Sequence, residues 1–100
     1  MTRVVNLRRE WFDVYIGRAG KGYDGYFGNP IARGYKCSIC GFVHMSASST
    51  LPCYEQHFHY RLRDVEFRRR VLELKGRTLG CFCKPARCHG DIIAAWVDAQ

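Results

Sequence analysis

The chain has 100 residues, of which 47% are apolar and 25% charged, with a formal net charge of +7. That length suits a single domain, residues 1–100, with a modest core. No run of about 18 apolar residues occurs, which excludes a hydrophobic membrane-spanning helix, and residues 1–12 lack the apolar core of a signal peptide.

The expected location is therefore cytoplasmic, with no membrane partner. Thiols stay reduced there, so clustered cysteines read as metal ligands or reactive groups rather than disulfides. The positive charge favours a polyanionic partner, nucleic acid first, although a solvated basic surface has the same composition.

Residues 3–7, RVVNL, form a short apolar run suited to a buried strand. Residues 12–18 alternate, with Phe12, Val14 and Ile16 on one face and Asp13, Tyr15 and Gly17 on the other, which predicts a second strand. Residues 17–30 hold five glycines and end in proline. Such a loop lets backbone amides approach a ligand, or simply connects two elements. No Gly-Lys-Ser/Thr follows, so it is not a phosphate loop.

Residues 51–63 predict a helix with Ser49 or Thr50 as cap, Pro52 in the first turn, and Tyr54, Phe58 and Leu62 facing the core. A second helix follows at 64–76, with Asp64 as cap, Gly76 as terminator and Phe67, Val71 and Leu74 as its apolar stripe. Arg68, Arg69 and Arg70 resemble a nucleic-acid patch, but Glu66–Arg70 and Arg69–Glu73 are spaced i, i+4 and suit a solvated face. Residues 77–83 return to strand. Residues 91–99 close the chain as a helix carrying Ile92 and Trp96 beside Ile93 and Val97. This order predicts an α/β sandwich: a small three-stranded sheet packed with about three helices.

Cys37, Cys40, Cys53 and His57 are spaced C-x2-C-x12-C-x3-H, close to the spacing of a zinc finger. Gly41 allows a tight turn after Cys40, and Cys53 and His57 lie i, i+4 on the predicted helix, so both can face one ion. His44 and His59 are rival fourth ligands. His59 lies about 240° round the helix from Cys53, at about 100° per residue, and is the poorer choice. Four protein ligands describe a structural Zn²⁺. Residues 34–57 thus read as a zinc-knuckle insertion leading into a helix; the plain alternative is two buried and two exposed free cysteines.

The second cluster is GCFCKPARCHGD, residues 80–91. Cys81 and Cys83, at i and i+2 on a strand, are expected on one side. Cys88, His89 and Asp91 fall at the start of the last helix, opposite a strand end, a common place for a ligand site. The helix N-terminus, Lys84 and Arg87 all favour thiolate over thiol. Three readings stay open: a second metal site from Cys81, Cys83, Cys88 and His89; a reactive Cys83 or Cys88 assisted by His89; or packing alone.

VVNLR, DVYIGR, GNP and LGCFCKPARCHGDIIA occur in this order, and together they resemble the family known as domain of unknown function 4326, small phage and bacterial proteins. The resemblance covers residues 3–30 and 77–97. It places Arg18, Asn29, Pro30, Cys81, Cys83, Pro85, Cys88, His89 and Asp91 on the family signature, implies a phage or bacterial origin, and leaves residues 34–52 as a departure that suggests a lineage-specific insertion. If the chain is phage-encoded, its location is the host cytoplasm.

The resulting expectation is a small zinc-binding α/β protein with a Cys/His-lined polar pocket that binds or acts on a nucleotide or other phosphate-bearing ligand. Cys83, Cys88, His89 and Asp91 are the candidate catalytic groups, and Arg18, Asn29, Lys84 and Arg87 the ligand-binding ones. The alternative is a phage accessory module without chemistry, binding nucleic acid or a host protein through its basic surface.

Overall fold

The computed structural model describes residues 1–100. Strand β1 is Arg3–Asn6 and β2 is Val14–Tyr15; a 3-10 turn, Ser48–Thr50, leads into helix α1, Leu51–Arg61. Helix α2, Val65–Leu72, strand β3, Thr78–Cys81, and helix α3, His89–Asp98, complete the chain. The three strands form one sheet in the order β1-β3-β2, with β3 parallel to both neighbours. The α/β architecture of three strands and three helices is the one the element order implies.

β3 is the central strand, and Leu79, Gly80 and Cys81 are all buried, as expected where a parallel strand is covered on both faces. Gly80 has a steric role. A Cβ there would lie 2.6 Å from Cγ of Phe12, so only hydrogen leaves room for that ring. Gly90, in the first turn of α3, is equally constrained: a Cβ would meet Cδ1 of Ile16 at 2.6 Å and Cγ1 of Val4 at 2.9 Å. Its bare backbone lets the N-terminus of α3 press onto the sheet.

α3 packs on β1 and against both α1 and α2. Tyr54, Phe58 and Leu62 of the α1 region join Phe67, Val71 and Leu74, and Ile92, Ile93 and Val97, in one continuous core cluster that includes Ile16 and Leu79. Each such side chain contributes about 1.5–3 kcal/mol through burial. Thr2 clips the chain ends together. Its N–H and hydroxyl donate to Asp98, and the hydroxyl accepts from Gly76 N at 2.9 Å.

Several local expectations are corrected. The second strand is only two residues long, although its ladder extends through Asp13 N to Thr78 O at 2.8 Å and Ile16 N to Gly80 O at 3.0 Å. Thr50 does not cap α1. Its hydroxyl donates instead to Ala47 O at 2.7 Å and accepts from Asn29 Nδ2 at 3.0 Å, because the 3-10 turn rotates the side chain inward. Asp64 does cap α2, accepting from the N–H of Glu66 and Phe67. Arg69 takes both carboxylates, Glu66 and Glu73, leaving Arg70 to stack over Tyr26 at 3.8 Å and Arg68 over Trp96 at 5.1 Å. Strand β3 ends at Cys81, so Cys83 lies beyond it and is exposed, whereas Cys81 is buried.

Candidate functional site

The first cysteine group is built by a hairpin meeting the start of α1. Lys36 and Val43 form an antiparallel bridge, Cys37 N donates to Phe42 O at 2.8 Å, and Gly41 N donates to Cys37 O at 2.9 Å. Gly41 makes the turn with φ +80°, a conformation costly for residues with a Cβ. The hairpin returns His44 over Cys40, with Nε2 3.5 Å from Sγ. Cys53 approaches from the first turn of α1. Ligand atoms of Cys37, Cys40, His44 and Cys53 all lie within 4.8 Å of one another.

His57, the expected fourth ligand, is not in this group. It sits about one helical turn beyond Cys53, and its ring lies beside Tyr54. The cross-hairpin register, not the helical i, i+4 relation, selects the histidine. His59 is exposed on α1 and also outside the group. Amide hydrogen bonds from Cys40 and Ile39 hold the Cys37 thiol down at about 6, while burial pushes Cys53 up to about 11.

The second group joins the end of β3 to the start of α3. Ligand atoms of Cys81, Cys88 and His89 lie within 4.8 Å of one another, and all three residues are buried. Cys81 Sγ donates to Cys88 Sγ at 3.4 Å, which raises the first thiol and lowers the second to about 7. His89 Nε2 donates to the Ile16 carbonyl at 2.5 Å, and burial lowers the pKa of the ring. Cys83 is outside the group; its N–H donates to Cys81 Sγ at 3.3 Å. Asn6 Nδ2 holds the following turn through Lys84 O at 2.7 Å.

Above this group, at the C-terminal ends of the strands, opens a cavity of about 730 Å³. Arg18, Asn29, Cys83, Arg87, Cys88 and His89 line it. Lys84 and Asp91 do not. They pair with each other, and the second Asp91 oxygen accepts from Cys88 N at 3.0 Å, so this carboxylate braces the helix start. Asn29 also has a bracing role, accepting from Ile31 N at 2.9 Å while donating to Thr50. Arg18 donates to Ile31 O at 2.6 Å.

The wall also contains Arg8, Lys21 and Arg33, which sequence reasoning missed. Lys21 stands in the glycine-rich loop, a signal that could have been used; Arg8 and Arg33 reach the cavity only through tertiary placement. Five cationic side chains thus line the cavity, with no aspartate or glutamate. Tyr15 stacks on Tyr23 with centroids 3.9 Å apart and meets Phe82 edge-on at 6.2 Å.

Fold and site define a small α/β domain carrying two Cys/His groups that could hold metal ions. The chain belongs to the family described as Domain of unknown function (DUF4326), whose pattern matches residues 2–99. The match runs through the knuckle segment and does not set it apart as an insertion. The chain is also similar to an uncharacterized 12.4 kDa protein in the nrdA-td intergenic region of Enterobacteria phage T4. The two are 35% identical over 95 residues, covering 94% of this chain and 75% of the relative. No solved structure matches. No helix is long and apolar enough to cross a membrane.

Proposed function

We propose that the protein binds a nucleotide or another phosphate-bearing ligand in the cavity at the strand ends, and that a structural zinc ion holds the hairpin of residues 36–43 to α1. The observation that carries the first part is the wall itself: five cations and no carboxylate around a cavity of about 730 Å³, a size within the roughly 300–1,000 Å³ of small-ligand sites. Cations at such a site stabilise phosphate oxygens, and Arg does so bidentately. The half-exposed rings of Tyr23 and Phe82 offer surfaces on which a base can stack. Zinc suits the first cysteine group because three thiolates and one imidazole complete a tetrahedral shell.

A second reading, nucleic-acid binding, is supported by Tyr35 and Phe42, which stand 73% and 75% exposed on the hairpin beside Arg33 and Lys36. Salt separates the two. Affinity for a mononucleotide, with its few phosphate contacts, should fall gently between about 50 and 200 mM salt, whereas many phosphate contacts along a strand would cost orders of magnitude. Titrating labelled mononucleotide and labelled oligonucleotide across that range decides between them. Absence of saturable mononucleotide binding, beside oligonucleotide binding that falls by orders of magnitude across that range, would contradict the cavity assignment.

A further inference from the structure

We infer that Cys81, Cys88 and His89 form a second metal site, one with only three protein ligands and a fourth position open to the cavity. The ligand atoms are gathered within 4.8 Å from two different elements, and each residue is at least 95% buried, at 1%, 2% and 5% exposure. The histidine is already in a metal-binding tautomer. Its Nε2–H is committed to the Ile16 carbonyl, so Nδ1 carries the free lone pair. Donation of the second ring N–H to a backbone carbonyl is the usual outer support of a metal-bound imidazole.

The sulfurs have matching support. Cys83 N–H donates to Cys81 Sγ, and such bonds stabilise a thiolate. The Asp91 carboxylate is engaged by Cys88 N and Lys84, and the group's donor set is two sulfurs and one nitrogen. That set favours Zn²⁺ or a similar borderline divalent ion over calcium or magnesium. Two thiolates and one neutral imidazole around a divalent ion carry no net charge, so neighbouring Arg18 and Arg87 do not repel the complex as a whole.

All three ligands line the cavity wall. A tetrahedral ion held there has its remaining position facing the space where a bound ligand would sit. This differs from the first group, whose four ligands close the shell. The inference rests on the cluster geometry; only the identity of the fourth, exchangeable ligand rests on the cavity reading above. Water would occupy that position in the free protein, and a phosphate oxygen could replace it.

The test counts metal and then probes the open position. Protein made with reductant present should contain two zinc ions per chain. The double variant Cys40→Ser/His44→Asn, altered at exposed or half-exposed positions of the first group, should keep one. The cobalt-substituted double variant should show a thiolate-to-cobalt charge-transfer band. Added azide should shift its d–d bands, because azide enters a free coordination position. Cobalt in Cys88→Ser, confined to the first group, should not respond to azide. No metal in the double variant, cobalt in it that azide leaves unchanged, or a Cys81–Cys88 disulfide found by mass spectrometry in place of metal would each overturn the assignment. The unaltered chain loaded with two cobalt ions should show the same azide shift for one of them, a readout that needs no variant to fold. Neither the count nor the azide response uses a nucleotide, so failure of nucleotide binding would not be mistaken for failure of the metal site.

Discussion

Replacing Thr50 by valine removes one hydroxyl and leaves the shape almost unchanged, which isolates a single polar link between the cavity wall and the core. The hydroxyl is buried, accepts from Asn29 Nδ2 at 3.0 Å and donates to Ala47 O at 2.7 Å. The two losses are unequal. Ala47 is exposed and its carbonyl keeps the bond from Thr50 N at 3.2 Å, so that side costs little. Asn29 is 8% exposed, and its amide is left without an acceptor. A buried unsatisfied donor costs about 1–3 kcal/mol, and the added methyl regains part of that, so Thr50→Val should lose about 1–2 kcal/mol. At roughly 4–8 °C per kcal/mol for a domain of this size, the melting temperature should fall by about 5–15 °C. Thr50→Ser keeps the hydroxyl and should lose less. Calorimetric melting of the three proteins is the assay. A valine variant as stable as the parent, or a serine variant that melts below it, would refute the hydrogen-bond argument.

Two further outcomes concern the metal and pH. Cys53→Ser removes a ligand of the first group, so one metal per chain should be lost together with hydrogen-exchange protection of the Cys37 and Gly41 amides, because binding energy at such a site is also folding energy; melting unaffected by both this substitution and a chelator would contradict it. Hydrogen bonds from Thr2 hold the Asp98 carboxyl below its ordinary range. A depressed carboxylate contributes stability above its unfolded pKa and loses it as pH falls through the folded value. The stability gap between the parent and Asp98→Asn should therefore be full at neutral pH and close in acid; a gap that widens in acid would reverse the assignment.

Much of the fold was legible because its signals are local. The alternation of residues 12–18, the 3.6-residue stripes of the helices and the Asp64 cap all report on neighbours in sequence. The fourth member of the first cysteine group was not legible. His57 satisfies the helical template with Cys53, but the Lys36–Val43 bridge brings His44 back to Cys40, and that pairing depends on hairpin register. Cys83 stands outside the second group because the strand stops two residues earlier, at Cys81, and the chain beyond it is exposed. Arg18, Asn29, Arg87, Cys88 and His89 lie on the cavity wall. Lys84 and Asp91 do not, since opposite charges seven residues apart pair with each other outside the cavity. Arg8 and Arg33 converge from distant segments, and nothing in their sequence surroundings distinguishes them from solvated arginines.

The cationic cavity is the centre of the account, and calorimetric titration of the zinc-loaded protein with a nucleoside 5′-monophosphate and with its parent nucleoside tests it most directly. The expected result is saturable binding at one site per chain that requires the phosphate and weakens about 10-fold, the equivalent of about 1.4 kcal/mol, in Arg87→Gln, whose exposed side chain lines the cavity. Equal affinity for the nucleoside, or phosphate-dependent binding that Arg87→Gln and a matching Lys21→Gln variant both leave unchanged, would contradict it.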